Sequence, residues 1–226
     1  MMHRNKVRAQ SELTPVQSEN AKAPKRRRLS PALRREQIVE GASAYFAEAG
    51  LDGTTRDLSA RLGITQSLLY AYFNTKGELI EAVYNRLYLD RISPEWPELI
   101  RDRTRPLGGR LHQFYTEYAA AIFSYEWMRI FMFSGLAGAD LNRRYLEHLS
   151  TLILRPILIE IETAARSPHR PVLEDIWDLH GGIVYIGIRK FVYRMAAPDD
   201  YEPIIRCTLN RFLHYYGIEP VSPPGN

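Results

Sequence analysis

The stretch Thr54-Thr55-Arg56-Asp57-Leu58-Ser59-Ala60-Arg61-Leu62-Gly63-Ile64-Thr65-Gln66-Ser67-Leu68-Leu69-Tyr70-Ala71-Tyr72-Phe73-Asn74-Thr75-Lys76 decides how this chain is read. Thr54 or Thr55 can cap a helix carrying Leu58 and Leu62, and Gly63 supplies the left-handed residue that stops it. Thr65 caps a second short helix containing Leu69, Tyr70 and Phe73, which Asn74 breaks. Thr75-Lys76-Gly77-Glu78 then has the Thr-x-x-Glu form of a capping box and opens a third helix. Leu58, Leu62, Ile64 and Leu69 are spaced to lock the two short helices across a tight turn, with Ala60 expected to let them approach closely. That is helix-turn-helix grammar, in which the first helix crosses a duplex backbone and the second enters the major groove.

Working outward, Ser30 caps a helix whose first residue is Pro31, where a missing N–H is harmless. Ile38, Ala42, Tyr45, Phe46 and Ala49 recur at helical spacing before Gly50. On the other side Leu79, Ile80, Val83, Leu87 and Leu89 carry the third helix towards Ile92. Pro94, Pro97 and Pro106 punctuate a region of weak pattern. Four further helical segments are expected, near 109–134 with a break at Ser124 or Glu126, then 139–166, 171–196 and 201–217. Strand-like alternation is nearly absent, so the fold class is all-α: a three-helix helix-turn-helix domain over 30–92, then a larger helical bundle over 93–226.

Charge separates the two parts. Residues 1–85 hold 13 Lys/Arg against 9 Asp/Glu, whereas residues 86–226 hold 17 of each, so the net charge of +4 belongs to the N-terminal part. This asymmetry implies a polyanionic partner at one end. Residues 1–29 lack hydrophobic periodicity and read as a disordered basic arm ending in Lys25-Arg26-Arg27-Arg28. The arm is expected to contact DNA, against the competing readings of a nuclear-localisation patch or a solvated tail. No stretch has the roughly 20 uncharged apolar residues of a membrane span. Leu152 to Ile161 comes nearest and is interrupted by Arg155 and Pro156. With no apolar h-region near the start and a single cysteine, Cys207, the expectation is a soluble protein of the cytoplasm, associated with the nucleoid and without an internal disulfide.

Residues 31–92 resemble the DNA-binding domain of TetR-family (TetR/AcrR-like) transcriptional regulators. The resemblance lies in the Thr-Thr opening, Leu-Ser-Ala before the Leu-Gly-Ile turn, Leu-Tyr-x-Tyr-Phe in the second helix, and Lys opening the next. It implies phosphate contacts at Thr55 and Lys76, sugar-phosphate contacts at Tyr70 and Tyr72, and base reading by Gln66 and Ser67. Gln pairs bidentately with adenine, and Arg56 is within reach of a guanine. Leu68 departs from the family, which often has Thr or Ser there, and so loses a phosphate hydrogen bond, with contact to a thymine methyl as the alternative role.

The resemblance also implies that the bundle dimerises through its last two helices and holds a ligand among the middle ones. Ile176, Leu179, Ile183, Ile186 and Val192 lie close to one face, and Ile204, Ile205, Leu209, Phe212, Leu213 and Tyr216 mark the last helix. Gly181, Gly182 and Gly187 are expected to permit close helix approach. These features agree with a homodimer, against the alternative of an internal pair in a monomer. Many aromatics fill the middle segments, and His112, Tyr118, Phe131, Trp177 and His180 are the candidates for a ligand pocket. The expected function is a repressor of operator DNA released by a small apolar or aromatic effector. The alternative is a DNA-bound scaffold that recruits a protein partner without one. An enzyme is not expected, since no Gly-x-Ser-x-Gly elbow, phosphate-cradling loop or His-Glu-x-x-His is found. No cofactor or metal is expected either, because His112, His148 and His180 lack paired ligand spacing.

Overall fold

The computed structural model describes residues 29–138 and 140–221. Most of the expected basic arm, residues 1–28 with the Lys25–Arg28 run, lies outside the described residues. The chain forms α1 (Pro31–Ala49), α2 (Thr55–Leu62), α3 (Gln66–Tyr70) and α4 (Lys76–Tyr84), then α5 (Trp96–Arg101), α6 (Leu107–Ile122) and α7 (Tyr125–Leu136). α8 (Asp140–Leu149), α9 (Arg155–Ala164), α10 (Leu173–Gly187) and α11 (Glu202–Tyr215) complete the bundle. No strand occurs among the described residues.

Local chemistry sets the first four helices. The side chains of Ser30, Thr54, Thr65 and Thr75 each accept from a backbone N–H three residues on. Gly63 ends α2 at φ 63°, ψ 33°, the left-handed conformation that glycine adopts without a steric penalty. The box at Thr75 closes one residue early: Glu78 Oε2 accepts from the backbone N–H of Asn74 at 2.9 Å. The tight packing found here joins α1 to α2, not α2 to α3 as expected of Ala60. Ala60 is exposed, whereas a Cβ added to Gly41 of α1 would lie 2.1 Å from Leu62 Cδ2. Gly41 therefore makes the room into which α2 settles. Ala47 rather than Ala49 belongs to the buried face of α1.

Three helices pass through a wide π turn, at Asn85–Leu89, Ser150–Leu154 and Ile188–Val192. The second explains why Pro156 does not interrupt the chain as its sequence implies. A proline clashes with the carbonyl four residues back, but the ladder here is already opened, with Arg155 N–H donating to Ser150 O. Pro156 then occupies the first turn of α9, where no N–H is needed. The punctuated segment after Pro94 holds a helix the periodicity does not reveal, α5, because six residues are too few to repeat a pattern.

α1 packs on α7, α6 on α10 and α11, and α5 on α6 and α9. Ile176, Leu179, Ile183 and Ile186 of α10, with Ile205, Leu209 and Leu213 of α11, are buried inside this one chain. The apolar faces expected to meet a second subunit are thus occupied internally. A charged cluster staples α6, α9 and the connection after α5: Glu160, 5% exposed, accepts from Arg103 Nη2 at 2.8 Å and from Arg110 Nη1 at 2.9 Å. Burial raises the Glu160 pKa, but the two guanidinium groups outweigh it and hold the carboxyl below its ordinary value.

Candidate nucleic-acid interface

α3 is five residues long and anchored by one side chain, Leu69, which is 1% exposed. At about 100° per residue, an inward Leu69 leaves Ser67 and Ala71 outermost. Gln66 and Tyr70 turn towards α2, where both meet Thr55. Tyr70 Oη lies 3.1 Å from Thr55 Oγ1, and Gln66 Nε2 donates to the same oxygen at 3.4 Å. Thr55 is therefore a clamp between the two short helices as well as a residue at the first turn of α2. Ser67 Oγ lies 2.9 Å from the capping oxygen of Thr65. Leu68 stands on the flank away from α2 and is 37% exposed.

The remaining expected contacts flank this ridge. Arg56 is exposed, with no ion pair to another described residue. Lys76 is the first residue of α4, where free N–H groups and the helix dipole favour an anion. Tyr72 is half-buried and packs on the core, while Phe73 is buried beneath the Arg35 guanidinium, 4.9 Å from its ring centre. Arg61, the other cation of α2, is paired with Glu48 of α1 at 2.6 and 2.8 Å. The structure thus brings Gln66 and Tyr70 together at Thr55 and leaves Ser67 and Arg56 exposed, while Lys76 is partly buried at the start of α4.

The candidate ligand residues divide. Tyr118 Oη lies 2.8 Å from Tyr145 Oη and 3.4 Å from His180 Nε2, in a buried chain of three polar groups. Burial holds the His180 pKa down at about 4, so the ring is neutral at pH 7, and burial raises the Tyr118 hydroxyl. Trp177 meets His180 edge-on at 6.0 Å, and Phe131 stacks on Trp127 at 5.0 Å beside Tyr145. His112 does not join them. Its Nε2 lies 2.8 Å from a Glu202 oxygen without hydrogen-bond geometry. Burial and nearby Arg206 lower its pKa against the pull of Glu202. Buried polar atoms without a partner, which no sequence pattern foretells, include Tyr115 Oη, Trp127 Nε1 and His180 Nδ1 beside others elsewhere in the described residues, such as Ser59 Oγ and Ser134 Oγ. An open groove of about 730 Å³ lies outside Trp177, walled by Asn142, Leu146, Ser150 and Arg155.

The two parts are fastened together. Arg129 of α7 donates from Nε to Ala47 O near the end of α1 at 2.6 Å and lies over the rings of Tyr125 and Phe133. Arg144 of α8 grips Glu81 of α4 at 2.9 and 3.1 Å.

The chain is similar to known regulatory proteins. Residues 38–83 match the profile of the bacterial regulatory proteins of the tetR family. The HTH-type transcriptional repressor KstR2 of Mycolicibacterium smegmatis is 35% identical over 78 residues, 34% of this chain and 38% of that protein. KstR2 of Mycobacterium tuberculosis is 35% identical over 75 residues, 33% of this chain and 37% of its own length. The chain thus aligns with little more than a third of the curated relatives it matches. Among solved structures, the ketosteroid transcriptional regulator KstR2 of Mycobacterium tuberculosis superposes with a TM-score of 0.63 at 20% identity, over 82% of this chain and 94% of that one. SmeT, the repressor of a Stenotrophomonas maltophilia multidrug efflux pump, gives 0.61 at 19% identity, over 84% and 96%. Both share the fold.

Proposed function

The chain belongs to the TetR family of bacterial regulatory proteins, and on that premise we propose that it is a transcriptional repressor that binds operator DNA as a homodimer and leaves it when a small apolar or aromatic molecule enters the bundle. The observation that carries the DNA part is the exposure of Gln66, Ser67 and Tyr70 on α3, the first and last bonded to Thr55 of α2, with Lys76 opening the next helix. Two such helices about 34–36 Å apart would enter successive major grooves. Lys76→Ala is expected to weaken binding to all duplexes alike and to lower the log–log salt slope by about 0.9 for each phosphate lost. Gln66→Ala is expected to relax preference at one or two base pairs by about 1–3 kcal/mol. Fluorescence anisotropy on the footprinted operator checks both, and parental binding by both variants would refute the assignment.

The second subunit would meet what the core leaves uncovered. Asp178, Gly181, Gly182 and Tyr185 form an exposed stripe on α10, and both glycines face open space. Light scattering of the purified chain tests this, and a monomer at micromolar concentration refutes it. The effector reading is supported by the unpaired Tyr115 Oη, Trp127 Nε1 and His180 Nδ1, since a buried polar atom without a partner is costly and a guest oxygen would relieve it. A neutral ketone on a fused-ring skeleton is the first class to test, since one structural neighbour is a ketosteroid transcriptional regulator. The scaffold reading draws on the rings being in mutual contact, with Trp127, Phe131 and Tyr145 at 5.0–5.8 Å. Loss of anisotropy on titrating the ketone into the DNA complex favours the effector, and its persistence across ketones and aromatics favours the scaffold.

A further inference from the structure

We propose that Leu68 is a specificity-determining residue that reads the C5-methyl group of a thymine; the inference rests on α3 being the helix that enters the major groove. A lone exposed leucine needs no explanation, but this one stands on a five-residue helix whose other exposed side chains carry polar groups positioned by hydrogen bonds. Leu69 is the anchor, Gln66 and Tyr70 are drawn to Thr55, and Ser67 is drawn to Thr65. Leu68 belongs neither to the buried core nor to the apolar residues packed against it. With Ser67 and Ala71 it makes the outer side of α3 free of charge, and only the serine of the three carries a side-chain hydrogen-bonding atom.

A major groove offers such a surface one complementary feature. Every base edge presents donors or acceptors there, and thymine alone adds a methyl group. Seating the leucine over an amino or keto group strips that group of water and returns no hydrogen bond. Seating it over a methyl removes apolar surface from water on both sides. The side chain therefore selects thymine by chemistry, and the complementary adenine follows from pairing.

The test separates this inference from the reading beneath it. A random duplex library is selected with the full chain, and each thymine of the selected site is replaced in turn by deoxyuridine, which removes only the methyl. Burial of one methyl predicts about fourfold weaker binding per half-site at one thymine position, and about fifteenfold with both half-sites replaced. Leu68→Ala, which should melt with the parent because the residue is outside the core, is expected to bind the thymine and deoxyuridine duplexes equally. Absence of any methyl-sensitive position overturns the proposal. So does methyl sensitivity that survives unchanged in Leu68→Ala, or a Leu68→Ala loss that is equal on both duplexes. If the parent selects no sequence at all, the DNA-binding reading falls and this inference falls with it.

Discussion

Replacing Arg129 by alanine removes the bond that ties α7 to the end of α1. Ala47 O is among the last four carbonyls of α1, which have no partner within their own helix, and a cation there also opposes the negative end of the helix dipole. A hydrogen bond to a charged group contributes about 1.5–3 kcal/mol. The two ring contacts, with the guanidinium 5.2 Å from Tyr125 and 5.0 Å from Phe133, add about 0.5–1 kcal/mol each at a partly exposed site. Ala47 is buried, so its carbonyl would be left without a partner, and the contributions sum to about 2.5–5 kcal/mol. For a chain of this length that corresponds to a fall in Tm of about 5–20 °C. Urea and thermal unfolding of the full chain measure it. Arg129→Lys should fall between the two, keeping the charge but losing the planar stack. An Arg129→Ala variant within about 0.5 kcal/mol of the parent, the usual size of a neutral surface change, would refute the reasoning. So would full recovery by Arg129→Met, which keeps only the apolar stem.

Two further predictions concern buried charge. Glu160→Gln leaves Arg110, 4% exposed, without its carboxylate, and should destabilise by about 3–5 kcal/mol in urea unfolding. Because the native Glu160 pKa lies below its ordinary value, its contribution is present above about pH 4.5 and lost as pH falls through the native value, so the variant should lack that part of the acid limb. His180 behaves as a base kept neutral. Its native pKa of about 4 lies below the ordinary 6.5, so the unfolded chain binds more protons between these values. Stability should therefore decline as pH falls from about 6.5 to 4, by about 3 kcal/mol, and be level in this contribution outside that window. Urea midpoints of parent and His180→Leu across this range provide the check, and identical slopes would contradict it.

The first four helices were legible because their signals are local. Each of Ser30, Thr54, Thr65 and Thr75 bonds a neighbour three residues away, and Gly63 needs only its own backbone freedom. What stayed hidden depends on residues far apart in the chain. Periodicity identified Ile176, Leu179 and Ile183 as one buried face but not what buries it, which is the chain's own interior. Pro156 reads as a break until the wide turn before it is known, and Trp96–Arg101 is too short to announce itself. At the candidate interface it was the family resemblance that pointed to Gln66, Tyr70 and Lys76, and Thr55 as the common partner of Gln66 and Tyr70 was not visible in it. His112 was grouped with Tyr118 as a polar residue among aromatics, yet α11 supplies Glu202 and draws it away.

The fastenings constrain how a guest in the bundle could alter DNA binding. The aromatic interior is built from α7 and α8 through Trp127, Phe131 and Tyr145, and the same two helices carry Arg129 and Arg144. A molecule that parts those rings must move one of these helices, because packed side chains have little room to yield separately. Motion of α7 pulls on the end of α1, and motion of α8 pulls on Glu81 in α4. A third tie, Tyr88 donating to Trp127 O at 3.2 Å, reaches α4's extension beyond Glu81, inside the wide turn at Asn85–Leu89. There the ladder changes register, with Asp90 N–H bonding Asn85 O at 2.9 Å, so rotation at Tyr88 can be absorbed before it reaches Lys76. Arg129 and Arg144 bypass that turn. On the proposed effector reading, differential affinity for two arrangements of α7 and α8 would be expressed at α3 chiefly through these two arginines, and a ligand that fitted both arrangements equally would leave the operator occupied.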